Sequence, residues 1–180
     1  GRLPVLSQFA ARRGLSGAIL SPFAYWRGLA SLIGLRAPEI PGATGRIETD
    51  YEGKAREAIA VLGTQDFVVI HVGGPGAASA RGDAEEKVDA LERIDARLLT
   101  PLLAGVKKLD DFRLMVVPDV AFPVEERTLV RDPVPFLLYA SHGITRRVRA
   151  EFAESAVAEA PLRVDEGYRL IELLLKEEGA

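Results

Sequence analysis

The chain has 180 residues, 48% of them hydrophobic, which suits a single domain over residues 1–180 with a core of its own. Its net charge of −3 argues against a nucleic-acid partner, because phosphate binding normally shows as a clustered excess of Lys and Arg. It contains no cysteine and no apolar run near the roughly 20 residues that span a bilayer, so we expect a cytoplasmic protein with neither a disulfide nor a membrane partner.

The first third of the chain predicts short helices around one strand. Ser21 followed by Pro22 is a typical helix start, and Gly34 ends that helix. Either Thr49 or Asp50 caps the next helix. The predicted elements are a helix over 3–13, a strand over 17–20, and helices over 21–34 and 50–63.

Three short apolar runs, at 67–70, 114–117 and 134–139, predict strands that are buried on both faces. Asp83 begins the longest predicted helix, which we expect to cover the sheet. Its apolar residues recur at helical spacing: Val88, Leu91, Ile94, Leu98 and Leu102. A final helix is predicted over 164–178. Strands and helices in alternation predict an α/β fold of three layers, a mainly parallel sheet with helices on both faces.

Chemistry is expected first at the end of the strand over 67–70, because ligands of open α/β sheets bind beyond the carboxyl ends of strands. His71 follows this strand, and a Gly-Gly-Pro-Gly segment at 73–76 leads to Arg81. Backbone amides and a guanidinium group suit a phosphate, although the segment matches neither the dinucleotide-binding nor the P-loop pattern. The competing interpretations are a structural histidine and glycines that remain where an active-site loop has decayed.

Five collinear segments resemble a known family. They read IPGATGRIETDYEGKA at 40–55, HVGGPGAASARGD at 71–83, ERIDARLLTPLL at 92–103, VVPDVAFP at 116–123 and DPVPFLLY at 132–139. The pattern resembles the archaeal-type, cofactor-independent (2,3-bisphosphoglycerate-independent) phosphoglycerate mutases of the alkaline phosphatase superfamily. It corresponds to the C-terminal portion, somewhat under half, of a complete member. The resemblance implies that the sheet is part of an alkaline phosphatase-like core.

The resemblance also implies where metal ligands should lie. Members of the family hold two divalent ions, of the manganese, zinc or magnesium type, through Asp and His side chains. The matching positions here are Gly76, Ala80, Asp119, Val120 and Leu129. Only Asp119 carries a donor, and a lone carboxylate cannot complete a coordination shell. We therefore predict no metal, no cofactor and no catalytic residue in this chain, with His71, Arg81 and Asp119 as binding candidates.

Family members carry their Ser or Thr nucleophile near the N-terminus, followed by a cap domain, and we expect neither region within this chain. The prediction is a degenerate, non-catalytic relative that serves as a binding or structural domain. Its expected partner is a second copy or the missing N-terminal half. The alternative is an active phosphoglycerate mutase or metal-dependent phosphatase that the missing half completes. A third possibility is a phosphate-sensing module built on the glycine segment and Arg81.

Overall fold

The computed structural model describes residues 13–109, 111–142, 152–157 and 162–175. The predicted helix over 3–13, apart from its last residue, lies outside these ranges. The chain divides into two compact units, one of residues 1–106 and 122–128, the other of residues 107–121 and 129–180. The single domain over 1–180 stays a prediction, because compactness alone does not test whether each unit folds independently.

The first unit is built on a parallel pair of strands. Strand β1 (Gly17–Leu20) pairs in parallel with β2 (Phe67–Ile70), and an isolated parallel bridge joins Ala18 to Arg36 on the far side of β1. Gly17 lies opposite Phe67, and a Cβ at Gly17 would lie 2.5 Å from the Phe67 ring. The strand therefore needs glycine at this position, since the ring occupies the space of a side chain.

The described helices of this unit are, in chain order, α1 (Ala24–Leu32), α2 (Tyr51–Leu62), α3 (Gly74–Arg81), α4 (Ala84–Ile94) and α5 (Thr100–Val106), and α1 and α2 pack against the strand pair. Of the two predicted caps for α2, Thr49 and Asp50, the structure has Asp50, whose carboxylate accepts from the Gly53 N–H at 2.8 Å. The predicted cap at Asp83 is confirmed, and its carboxylate accepts from the Glu86 N–H at 2.9 Å. Gly82, with φ of 74°, ends α3 in the left-handed region that favours glycine. The caps fix where α2 and α4 begin.

The long predicted helix is interrupted by a π-helical turn, Asp95–Leu99, between α4 and α5. Leu98 and Leu102 are buried as expected, but Val88 and Leu91 are 55% and 51% exposed, so their predicted place in the core is wrong. A π turn adds a residue to the helical repeat and rotates the face that follows it. The apolar residues before and after the turn therefore do not share one face.

The second unit contains a separate pair of strands, β3 (Arg113–Val116) and β4 (Leu137–Ala140), which run antiparallel. The mainly parallel sheet of the prediction does not extend to them. Their connection has no helix for a parallel crossover, and an antiparallel bridge between Ala121 and Val130 shows that it folds back. A short helix α6 (Glu154–Val157), a 3₁₀ turn (Gly167–Arg169) and α7 (Leu170–Leu175) follow.

The α/β class is confirmed by this combination of a small parallel sheet and packed helices. In the second unit the guanidinium group of Arg113 donates to the carbonyl of Leu174 at 3.3 Å and ties α7 to β3. Across the described ranges, none of the helices combines the length and apolar composition needed to cross a bilayer.

Candidate functional site

The carboxyl ends of β1 and β2 bring Ser21 and His71 together. Ser21 directly follows β1 and His71 directly follows β2, and the His71 N–H donates to the carbonyl of Leu20 at 2.9 Å. The Ser21 hydroxyl and His71 Nδ1 lie 3.3 Å apart. The parallel register therefore places a hydroxyl and an imidazole at the sheet edge where α/β proteins bind ligands.

Two aromatic rings contact this partly buried histidine. The ring centroids of Phe23 and Trp26 lie 5.4 and 5.7 Å from that of His71, and Tyr25 continues the cluster 5.1 Å from Trp26. An imidazole that is held by a hydroxyl and two rings is fixed in orientation. These contacts favour the structural interpretation of His71.

Lys54 is the least expected member of the site, because its side chain is fully buried. Its Nζ donates to the backbone carbonyl of His71 at 3.3 Å. Burial lowers the pKa of Lys54 to about 8, and the nearby Asp50 carboxylate opposes part of that shift. The sequence carried one signal of this burial, since Lys54 falls between Tyr51 and Ala58 on the apolar stripe of α2.

The glycine segment that was predicted as a loop forms the start of α3. Gly73 caps the helix without a side-chain hydrogen bond, and a Cβ there would lie 2.8 Å from the carbonyl oxygen of Gly45. A Cβ at Gly74 would meet the carbonyl oxygen of Arg46 at 3.4 Å. The glycines thus let the segment over 44–47 pack closely against the helix, and this close approach accounts for them without a bound phosphate.

Arg81 lies at the other end of this helix. It is the last residue of α3, about 10 Å along the helix axis from Gly74, and its guanidinium group pairs with the carboxylate of Glu86. The structure therefore does not bring Arg81 to the glycines with which it was predicted to bind phosphate.

The first pair of expected metal positions lies on α3. Gly76 and Ala80 are four residues apart, which places them one turn apart on one side of the helix. A Cβ at Gly76 would lie 3.8 Å from the Phe122 ring, so an aromatic ring borders the position. The Phe122 carbonyl accepts hydrogen bonds from the Ser79 hydroxyl at 2.8 Å and the Lys87 ammonium at 2.9 Å. These hydrogen bonds hold the backbone of Phe122 against α3, beside the positions where metal ligands were expected.

The remaining expected positions belong to the second unit. Asp119 and Leu129 are exposed there, and Val120 is half-buried. Within the ranges that the structure describes, no three His, Cys, Asp or Glu side chains converge in a way that could hold a metal ion. The residues present therefore do not fit the pair of divalent ions that the resemblance implies.

A cluster that the sequence did not reveal joins Asp111, Ser141 and His142 in the second unit. The Ser141 hydroxyl donates to Asp111 Oδ1 at 3.3 Å, and His142 Nδ1 contacts the same oxygen. Ser141 also accepts from the Phe112 N–H at 3.0 Å. The hydroxyl is bonded to the carboxylate rather than to the imidazole, so the imidazole is not placed to activate it as a nucleophile. This cluster stabilises the end of β4.

Comparison with known proteins finds similarity to one superfamily and to phosphoglycerate mutases. The model of the metalloenzyme superfamily matches residues 2–161. A probable 2,3-bisphosphoglycerate-independent phosphoglycerate mutase from Geobacter sulfurreducens is 35% identical over 175 residues, which are 97% of this chain but 44% of that protein. A 2,3-bisphosphoglycerate-independent phosphoglycerate mutase 2 from Methanothermobacter thermautotrophicus is 38% identical over 175 residues, which are 97% of this chain but 43% of that protein. The chain thus spans less than half the length of these relatives.

Two solved structures share the fold. A Pyrococcus horikoshii protein has a TM-score of 0.88 at 24% identity, over 99% of this chain and 55% of that one. The cofactor-independent phosphoglycerate mutase from Thermoplasma acidophilum has a TM-score of 0.63 at 20% identity, over 97% of this chain and 40% of that one. At these identities the comparison establishes the fold alone.

Proposed function

The chain belongs to the metalloenzyme superfamily, and we propose that it is a degenerate, non-catalytic member that acts as a binding or structural domain. The predicted resemblance to the C-terminal portion of cofactor-independent phosphoglycerate mutases is confirmed. Retention of the fold together with loss of the ligand side chains favours a domain that binds a partner rather than turns over a substrate. A cytoplasmic location is part of this proposal.

One observation carries the proposal. Gly76 and Ala80 occupy adjacent turns on one side of α3, where the family pattern has an Asp and a His, and neither offers a donor atom. The Phe122 ring lies beside the first position. Divalent ions of this kind need several oxygen, nitrogen or sulfur donors around one point. Without such donors the chain holds no metal ions to polarise the phosphoryl group and stabilise the charge of the transition state.

The alternative is an active mutase or metal-dependent phosphatase that an N-terminal half completes. Its support is the length of the relatives, more than half of which has no counterpart in this chain. A completed enzyme would have to recruit metal ligands other than those of the family pattern. The two proposals therefore differ in what they predict for metal binding by this chain.

Calorimetric titration of the purified, chelator-treated chain with Mn²⁺ and with Zn²⁺ should show no saturable site. The reason is that Asp119 is the single retained donor among the five family positions. The Asp119→Ala variant is the matched control and should give the same flat titration. Stoichiometric binding that Asp119→Ala abolishes would contradict the proposal. Stabilisation by inorganic phosphate without turnover would favour the phosphate-sensing module instead.

A further inference from the structure

A small cavity opens where β1 ends and α1 begins. Its volume is about 220 Å³, and its walls come from the residues that follow β1, from α1 and from the segment over 39–43. Pockets that take drug-sized ligands measure about 300 to 1,000 Å³, so this one suits a smaller molecule. We call it the Ser21 cavity. The lining residues that matter for its chemistry are Ser21, Pro22, Arg27, Glu39, Ile40 and Ala43.

Ser21 is the most deeply buried polar residue of the cavity, at 6% exposure. Its hydroxyl accepts from the Phe23 N–H at 3.2 Å and lies 3.3 Å from His71 Nδ1. A serine hydroxyl has one donor and two acceptor positions. If His71 Nδ1 accepts, one acceptor position of the hydroxyl remains, and if Nδ1 donates, the O–H donor remains. In either tautomer of the imidazole, Ser21 can therefore make one further hydrogen bond to a ligand.

Two opposite charges border the same cavity. The Arg27 guanidinium group donates to Glu39 Oε1 at 2.5 Å, and the two side chains are 37% and 82% exposed. An ion pair with this exposure contributes little to stability, so a ligand can separate the two groups at small cost. Once separated, the planar guanidinium group can donate two hydrogen bonds to a carboxylate, and the Glu39 carboxylate can accept from an ammonium group.

The paired charges decide which class of ligand fits. A simple anion would pair with Arg27 but would be repelled by Glu39, and a simple amine would pair with Glu39 but would be repelled by Arg27. A molecule that carries a carboxylate and an ammonium group on one carbon satisfies both side chains at once. The walls formed by Pro22, Ile40 and Ala43 are apolar, so the rest of the ligand should be a short aliphatic group.

We propose that the Ser21 cavity binds a small aliphatic α-amino acid. The carboxylate of the ligand pairs with Arg27, its ammonium group pairs with Glu39, and the Ser21 hydroxyl makes a further hydrogen bond. The cavity lies at the carboxyl end of β1, the sheet edge where α/β proteins bind ligands. This inference rests on the proposed binding role and gives that role a class of ligand. It uses none of the five positions of the family metal pattern.

The first test titrates glycine, L-alanine and L-valine into the ¹⁵N-labelled chain and follows the amide signals of Ser21 and Ala43 by NMR. Propionate and ethylammonium are the matched controls, because each is alanine without one of its two charged groups. We expect saturable shifts with L-alanine and a Kd at least about tenfold lower than for either control. Absence of a saturable shift with all three amino acids would overturn the proposal. Equal affinity for alanine and propionate would indicate a simple anion site and would also overturn it.

The second test removes one charge at a time. Arg27→Gln and Glu39→Gln should each weaken the binding of L-alanine at least about tenfold, because each leaves one charged group of the ligand without its partner. Arg56→Gln is the control, since it opens another exposed ion pair of the same unit, with Asp50 at 3.5 Å, and should leave the affinity unchanged.

Two results of this second test would contradict the site. Binding of L-alanine that both Arg27→Gln and Glu39→Gln leave unchanged would show that the ligand lies elsewhere and would overturn the proposal. Equal weakening in all three variants would assign the loss to the overall charge or stability of the unit and would also overturn it. The metal titration involves none of these residues, so failure here is distinct from failure of the proposed function.

Discussion

The variant Gly76→Asp, Ala80→His, Val120→His, Leu129→His should bind Mn²⁺ or Zn²⁺ where the unmodified chain does not. With Asp119 it restores five donors of the family pattern. The first substitution is sterically tolerable, since a Cβ at Gly76 makes an ordinary contact of 3.8 Å with the Phe122 ring. Calorimetry should give binding at least about tenfold tighter than a spacing control, or about 1.4 kcal/mol.

The spacing control moves one histidine. Gly76→Asp with Ala77→His puts the two α3 donors on adjacent residues, which do not face each other on a helix, while the other two substitutions are kept. Equal affinity in the two variants would show that the i, i+4 geometry of α3 is not responsible. We expect no mutase turnover from either variant, because the family nucleophile belongs to the N-terminal portion.

Lys54 should make the folded chain more stable as the pH rises from about 8 to about 10. Its pKa is about 8 in the folded protein and 10.5 as the ordinary value, so in this range the unfolded chain binds more protons and deprotonation favours folding. The slope approaches but does not exceed about 1.4 kcal/mol per pH unit. Burial raises the pKa of Tyr51, and its ionisation on unfolding destabilises the protein at still higher pH.

Urea unfolding at pH 7, 8, 9 and 10 measures this slope, and Lys54→Met is the control. The methionine keeps the length of the buried stem without a charge, so its stability should change much less over the same range. A slope that is the same in both proteins would assign the pH dependence to other groups. It would also contradict the burial of the ammonium group against the His71 carbonyl.

Local signals were sufficient for the parts of the fold that depend on adjacent residues. The strands over 17–20 and 67–70 match β1 and β2, the cap of α4 is Asp83 as predicted, and the cap of α2 is Asp50, one of the two residues that the sequence offered. Each of these features is determined within a few residues by apolar runs or by a carboxylate that meets a backbone N–H.

Features that depend on distant contacts could not be predicted in the same way. The π turn over Asp95–Leu99 has no sequence signature. Helical periodicity alone therefore did not predict that Val88 is exposed while Leu98 is buried. The antiparallel pairing of β3 with β4 depends on the path of a connection that lacks a helix. The burial of Lys54 depends on the packing of α2 against the end of β2. Helical periodicity shows only that Lys54 is a polar residue within an apolar stripe, and it does not show what covers that stripe.

The family resemblance contributed what periodicity could not. It identified Gly76 and Ala80 as ligand positions although glycine and alanine carry no chemical signal, and the structure places both on one side of α3. It did not identify the Phe122 backbone as the group that Ser79 and Lys87 hold beside this helix. That arrangement involves residues more than 30 positions apart, and only the structure reveals it.

The measurement that tests the non-catalytic role most directly is a phosphoglycerate mutase assay with Mn²⁺ or Zn²⁺ present. It is run on the purified chain alone and on the chain co-expressed with the N-terminal portion of the Geobacter relative, each beside its Asp119→Ala counterpart. We predict that neither preparation interconverts 2- and 3-phosphoglycerate faster than its counterpart, because Gly76, Ala80, Val120 and Leu129 supply no metal donors. Turnover by either preparation that Asp119→Ala abolishes would contradict that role and establish the completed enzyme instead.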